Sequence, residues 1–268
     1  MALQSSSVLF DTFPNEIGVE IFAHLELGER LKTARISRLF KDLAYDPVSF
    51  NESYKKYNDD ESSIKEIQTI LREARSLGID LTQVTYENIK NVKAKVENIK
   101  KDSIIKIWKK IQSDNPGLDY PDFTQLKDET CSAIIEKFDV WTKKNKDNIS
   151  SLHLDSLNLK YLPDSIGNLS NLKELNLYNN KIRTLPETLG NLSNLKELSL
   201  NNNQISTLPV TLGNLSKLEW LNLNNNQIST LPVTLGNLSN LKELNLYNNK
   251  IRTLPETLGN LSKLEWLY

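Results

Sequence analysis

The chain has 268 residues, a formal net charge of −1 and a single cysteine, Cys131. Its length suits two modest domains or one domain plus an array. The near-zero charge provides no field to draw nucleic acid or an anionic membrane, and a lone cysteine excludes an intramolecular disulfide. No apolar run is long enough to span a bilayer. Met1-Ala-Leu-Gln-Ser-Ser-Ser lacks the basic and apolar regions of a secretory signal. These features predict a cytoplasmic protein.

Residues 1–10 read as a leader. Pro14 suits the first turn of a helix, with Glu16 near its favourable dipole end. Ile17, Ile21, Phe22 and Leu25 follow at helical spacing, and Gly28 breaks the pattern. Leu31 and Ala34, then Leu39, Phe40 and Leu43, continue it in a second and a third helix. From Phe13 to Phe50 the spacing resembles the F-box without a gap, matching at Pro14, Glu16, Ile17, Ile21, Phe22, Leu25, Leu31, Ile36, Ser37, Arg38, Phe40, Leu43, Asp46 and Phe50. The resemblance implies a three-helix unit over residues 11–50. It also implies docking on the adaptor subunit of SCF-type ubiquitin ligases through Phe13, Pro14, Glu16, Ile17, Ile21, Phe22, Leu25 and Leu31. Three features depart from the family pattern. Phe13 replaces the usual Leu, Arg30 stands where Leu is common, and Leu39-Phe40 replaces a basic residue followed by Trp. On the residues alone, a small helical cap that shields the next segment is the other reading.

Residues 51–148 read as a helical linker or cap domain, opening on a polar stretch from Asn51 to Asp60. Ile64, Ile67, Ile70, Leu71, Ala74 and Leu77 predict an amphipathic helix ending near Gly78. Ile89, Val92, Val96 and Ile99 mark a second helix. Asp102 can cap a third, carrying Ile104, Ile105, Trp108 and Ile111. After turn signals at Asn115-Pro116-Gly117 and Tyr120-Pro121-Asp122, Ile134, Ile135, Phe138 and Trp141 predict a last helix. Lys90, Lys93, Lys95, Lys100, Lys101, Lys106, Lys109 and Lys110 form a basic stretch. It reads as a solvated helix face in preference to an anion-binding or ubiquitin-accepting one.

From Ile149 onward one unit recurs. Leu172, Leu195, Leu218, Leu241 and Leu264 are 23 residues apart. The same step links Leu175, Leu198, Leu221 and Leu244, then Leu177, Leu200, Leu223 and Leu246, and then Asn180, Asn203, Asn226 and Asn249. The unit L-x-x-L-x-L-x-x-N-x-I-x-x-L-P-x-x-L-G-N-L-S-x resembles the leucine-rich repeat. In L-x-L the leucines share one face of a short strand. One strand cannot bury them alone, so the units must stack into a solenoid with a parallel sheet over residues 149–268. Asn at the turn can bond backbone groups left unpaired inside the stack, Pro blocks strand pairing, and Gly allows a tight exit. The N-L-S triplets fit the glycosylation sequon, but in this chain they read as repeat consensus. Phe138 and Trp141 are placed to cover the open end at Ile149, Leu152 and Leu154. Leu157, where later units have Asn, fits a capping turn.

The sequence offers no convincing enzyme site, metal-ligand cluster or cofactor motif. Cys131 sits at a predicted helix start beside Asp128, Glu129 and Glu136, company that disfavours a thiolate. The outward strand positions instead predict a protein-binding face. It comprises Glu174, Asn176, Tyr178, Glu197, Trp220, Asn222, Glu243, Asn245, Tyr247 and Trp266, with Trp220 as the anchor. The opposing reading is that Trp220 and Trp266, like the Tyr pair, are copies in a duplicated unit. Six four-residue strands give a flat footprint of about 300 Å², against about 800 Å² per partner in a standard interface. The ascending loops at Lys181, Arg183, Lys250 and Arg252, or the helices, would have to add to it. F-box units joined to leucine-rich repeats recur as substrate receptors of SCF ligases, and also among bacterial effectors that borrow a host's ubiquitin machinery. The resemblance therefore implies a non-catalytic receptor with two protein partners, the adaptor and a substrate. It would act in the cytoplasm, a host's if the chain is an effector. The alternative is a repeat scaffold that binds no adaptor.

Overall fold

The strand leucines, spaced as above, direct six short strands into one parallel sheet, seen in a computed structural model that describes residues 61–81, 84 and 89–268. The F-box-like stretch and all its adaptor-docking positions, Phe13 to Leu31, lie outside the described residues. Residues Glu73–Asp80 and Asn91–Tyr268 form one compact unit.

Helix α1 spans Glu61–Ser76. Gly78 follows it in the left-handed region, φ +68, where Gly carries no Cβ penalty. Helix α2 runs unbroken over Ile89–Asp114, which corrects the expected division at Asp102. Asp102 is not a cap. It lies mid-helix and pairs with Lys106 one turn on, at 2.8 Å. The buried stripe passes through Val92, Val96, Ser103, Ile107 and Ile111. A polar residue in that stripe mimics a break where the helix continues. Asn115-Pro116-Gly117 ends it, Pro lacking the N–H a further turn needs. Helix α3, Cys131–Lys144, begins at Thr130, whose hydroxyl accepts from Ala133 N at 3.2 Å.

The strands are β1 Ser151–His153, β2 Glu174–Asn176, β3 Glu197–Ser199, β4 Trp220–Asn222, β5 Glu243–Asn245 and β6 Trp266–Leu267, paired in sequence order. Each 23-residue step falls in register, so Leu152, Leu175, Leu198, Leu221 and Leu244 align across the sheet. Five short 3-10 helices return the chain, each entered from a proline: Asp164–Asn168, Glu187–Asn191, Val210–Asn214, Val233–Asn237 and Glu256–Asn260. One apolar core runs from Ile104 in α2 through Phe138 and Trp141 to Leu261. The expected cover is therefore in place, with α3 against the first 3-10 helix and Phe138 fully buried. Trp108 meets Phe138 and Trp141 edge-on at centroid distances of 5.1 and 5.8 Å.

The turn asparagines divide two tasks. Asn179, Asn202, Asn225 and Asn248 take the left-handed conformation, with φ of 53 to 56°, which Asn tolerates better than most residues. The next residue turns inward. Asn203 Nδ2 donates to Leu177 O and Leu200 O at 2.9 and 3.1 Å, and Ile182 N donates to Asn203 Oδ1 at 3.1 Å. Asn180, Asn226 and Asn249 repeat this pattern, each linking its own unit to the preceding one. The repeat glycines serve close approach, not a special φ. A Cβ on Gly190 would lie 2.3 Å from Thr211 O of the next unit.

Candidate functional site

The concave face is built from the outward position of each strand and its two neighbours. In the first column Ser151, Glu174, Glu197, Trp220, Glu243 and Trp266 stand side by side in register. Trp220 is half-buried and Trp266 is 57% exposed, while Tyr178 and Tyr247 in the turn column are 38% and 68% exposed. The structure thus brings the predicted residues onto one surface, with Tyr178, Tyr247 and Trp266 exposed and Trp220 half-buried. The strands have three residues, and β6 two, against the expected four. The sheet alone is correspondingly smaller, and Lys181, Arg183, Lys250 and Arg252 at its rim are all exposed.

Asn176, Asn222 and Asn245 have a structural duty as well. Their Oδ1 atoms accept from Tyr178 N, Asn224 N and Tyr247 N at 3.0, 3.1 and 3.0 Å. These bonds hold the turn that displays the tyrosines.

Sequence reasoning missed the column that precedes the strands: Lys173, Lys196, Glu219, Lys242 and Glu265. At strand entry two successive N–H groups share one carbonyl, as Lys196 N and Glu197 N do on Lys173 O at 2.8 and 3.0 Å. Glu219 sits between two lysines, 2.6 Å from Lys242 and 3.4 Å from Lys196. Hydrogen bonds from Lys242 and Lys196, with their charge, hold its carboxyl below the usual carboxylate range, and Glu219 in turn raises Lys242. The mixed charges at the 23-residue step were the available signal. Lys196, Glu197, Glu219, Trp220, Lys242, Glu243 and Trp266 together line a groove of about 480 Å³.

At the other end of the sheet Ser151 Oγ lies 2.9 Å from His153 Nε2, and His153 Nδ1 lies 3.7 Å from Glu174 Oε1. This is the order of a nucleophile, base and orienting acid. The nearby backbone N–H groups of Leu154 and Ser156 are bonded to Asn176 O and Tyr178 O, however, and so are not available to an oxyanion. Cys131 is half-buried, and its thiol is raised first by burial, against Lys100, and further by Glu97 and Glu73. The carboxylates that act on it thus come from α2 and α1, not from the sequence neighbours Asp128, Glu129 and Glu136. The basic stretch is largely engaged. Lys100 pairs with Glu73 at 2.6 Å, Lys110 pairs with Asp114 at 2.7 Å, and Lys101 Nζ donates to Glu129 O at 2.8 Å. Among the described residues no group of His, Cys, Asp and Glu could hold a metal ion, and no helix is long and apolar enough to cross a membrane.

Residues 170–215 and 216–263 match the family described as Leucine Rich repeats (2 copies), and this part of the chain is a leucine-rich-repeat array. Among solved structures, a leucine-rich-repeat protein of Leptospira interrogans is 37% identical over 48% of this chain and 34% of its own, with a TM-score of 0.45. Internalin C2 of Listeria monocytogenes is 34% identical over 47% of this chain and 54% of its own, with a TM-score of 0.42. The ectodomain of the receptor kinase SOBIR1 from Arabidopsis thaliana is 32% identical over 43% of this chain and 66% of its own, with a TM-score of 0.40. The chain spans less than two thirds of the length of each of these. No curated protein matches it.

Proposed function

We propose that the chain is a non-catalytic substrate receptor of an SCF-type cullin–RING ubiquitin ligase, acting in the cytoplasm. The concave face holds the protein target, and the F-box-like residues 11–50 dock the adaptor. The binding half is carried by one observation: Trp266, Tyr178 and Tyr247 stand exposed, with Trp220 half-buried beside them, on one parallel sheet. Aromatic side chains so displayed are favoured interface anchors. The adaptor half is supported by the gapless F-box-like spacing from Phe13 to Phe50. A second reading, a repeat scaffold or effector without adaptor binding, is favoured by Arg30, a charge where the family commonly has Leu. Pull-down with purified adaptor separates the two. The receptor reading expects capture by the full chain and loss of capture on changing Pro14 and Ile17. Absence of capture at micromolar concentration leaves the scaffold.

A further inference from the structure

At one end of the concave face Trp220 of β4, Glu243 of β5 and Trp266 of β6 are register neighbours. Adjacent strands lie about 4.8 Å apart, so the two tryptophan backbones stand about 10 Å apart with a carboxylate between them. A flat cation between two rings needs about 3.5 Å on each side, about 7 Å in all. The backbone spacing leaves room for such a group between the two side chains. The same three residues line the groove of about 480 Å³.

The charges select the sign of the occupant. Lys196 and Lys242 are both drawn to Glu219, and Lys242 faces Glu265 as well. Glu197 and Glu243 make no ion pair among the described residues, so the charge left in the groove is negative. A carboxylate flanked by two indole side chains matches a planar cation better than a compact ammonium. A guanidinium stacks on rings, is weakly hydrated and presents a fork to a carboxylate. We propose that this groove is a subsite for one arginine side chain on an exposed segment of the protein partner, its guanidinium lying between Trp220 and Trp266 and paired with Glu243. This rests on the reading that the concave face holds the protein target.

The test uses the full chain and a short peptide, acetyl-Gly-Ser-Arg-Ser-Gly-amide, beside its twin carrying citrulline, which has the same shape without the charge. Tryptophan emission is followed through each titration. The arginine peptide is expected to give a saturable change at millimolar concentration. Citrulline for arginine, or Glu243→Gln, is expected to weaken it about tenfold, and Trp266→Ala to abolish it. The proposal is overturned if the arginine peptide does not saturate, if both peptides bind alike, or if Glu243→Gln changes nothing while circular dichroism shows the variant folded. Adaptor capture runs through Phe13–Phe50 and is measured separately. Failed titration with the adaptor still captured overturns the subsite and spares the receptor reading. Selective arginine binding without adaptor capture supports the subsite and removes the adaptor role.

Discussion

Asn203 shows what a single repeat position contributes. Its amide serves Leu177 O, Leu200 O and Ile182 N, and the residue is buried. Alanine leaves Ile182 N without its partner and removes one of two amide donors from each of Leu177 O and Leu200 O, which keep Asn180 Nδ2 and Asn226 Nδ2; a buried group left unpaired costs about 1–3 kcal/mol. Asn203→Ala should therefore lose about 2 kcal/mol in denaturant titration. Asn249→Ala should lose less, because Asn249 is only half-buried and water can replace its bonds. The bonding role of this column was legible from its place at the turn. The partner role of the preceding column, Asn179 to Asn248, was not. Both columns are asparagine in most units, and spacing alone does not say which one takes the positive φ. The glycine column makes a second residue-scale test. Gly190→Ala drives a Cβ against Thr211 O and should cost about 2 kcal/mol. At Gly259 no atom lies within 4 Å of the added Cβ, so Gly259→Ala should be neutral or stabilise by up to about 1 kcal/mol. Thermal or denaturant melts of the two variants side by side decide this. Equal losses would mean that the close approach of successive turns is not why Gly is there.

Helix α3 is the element that turns a stack of repeats into a closed structure at its first end. Its apolar side was legible, because Ile134, Phe138 and Trp141 keep helical spacing and must be buried somewhere. Its polar contact was not. Asn168 Nδ2 donates to Asp139 Oδ1 at 2.9 Å and to Thr142 Oγ1 at 3.0 Å, pinning α3 to the first 3-10 helix. Hydrogen bonds from Lys143 and Asn168 hold the Asp139 carboxyl below the usual carboxylate range. A folded-state pKa below the unfolded one means that this contact stabilises above the ordinary carboxylate range and is lost as pH falls through the folded value. Acidification should therefore lower the melting temperature less in Asp139→Asn than in the parent. Parallel acid limbs in the two would remove Asp139 from the account. Helix α2 teaches the opposite lesson. Ser103 and Lys100 stand where the buried stripe expects apolar residues, so one helix reads as two. The polar members are accommodated because Lys100 finds Glu73, and Ser103 is small enough to be buried at 2% exposure.

Over the whole molecule, a core continuous from α2 to Leu261 fixes a concave face whose columns could be read directly from the 23-residue step. What the step alone did not reveal was that the charge row at the strand entry would pair within itself. The row recurs at the 23-residue step, but the strand-entry backbone, where two successive N–H groups share one carbonyl, has no residue signature that places Lys196, Glu219 and Lys242 beside one another. That row narrows the chemistry of the face, because Glu219 engages Lys196 and Lys242 while Glu197 and Glu243 make no ion pair among the described residues. The face is still small beside a standard interface, so under the receptor account a target would also have to engage the exposed rim or the helices. The receptor account joins this face to an adaptor bound elsewhere on the chain, and the two sites should act independently. Calorimetric titration of purified adaptor into the full chain tests that most directly. The account predicts micromolar or tighter binding, unchanged by Trp220→Ala and lost when Pro14 and Ile17 are both changed. No heat at micromolar concentrations, or binding that survives the Pro14 and Ile17 changes, would contradict it.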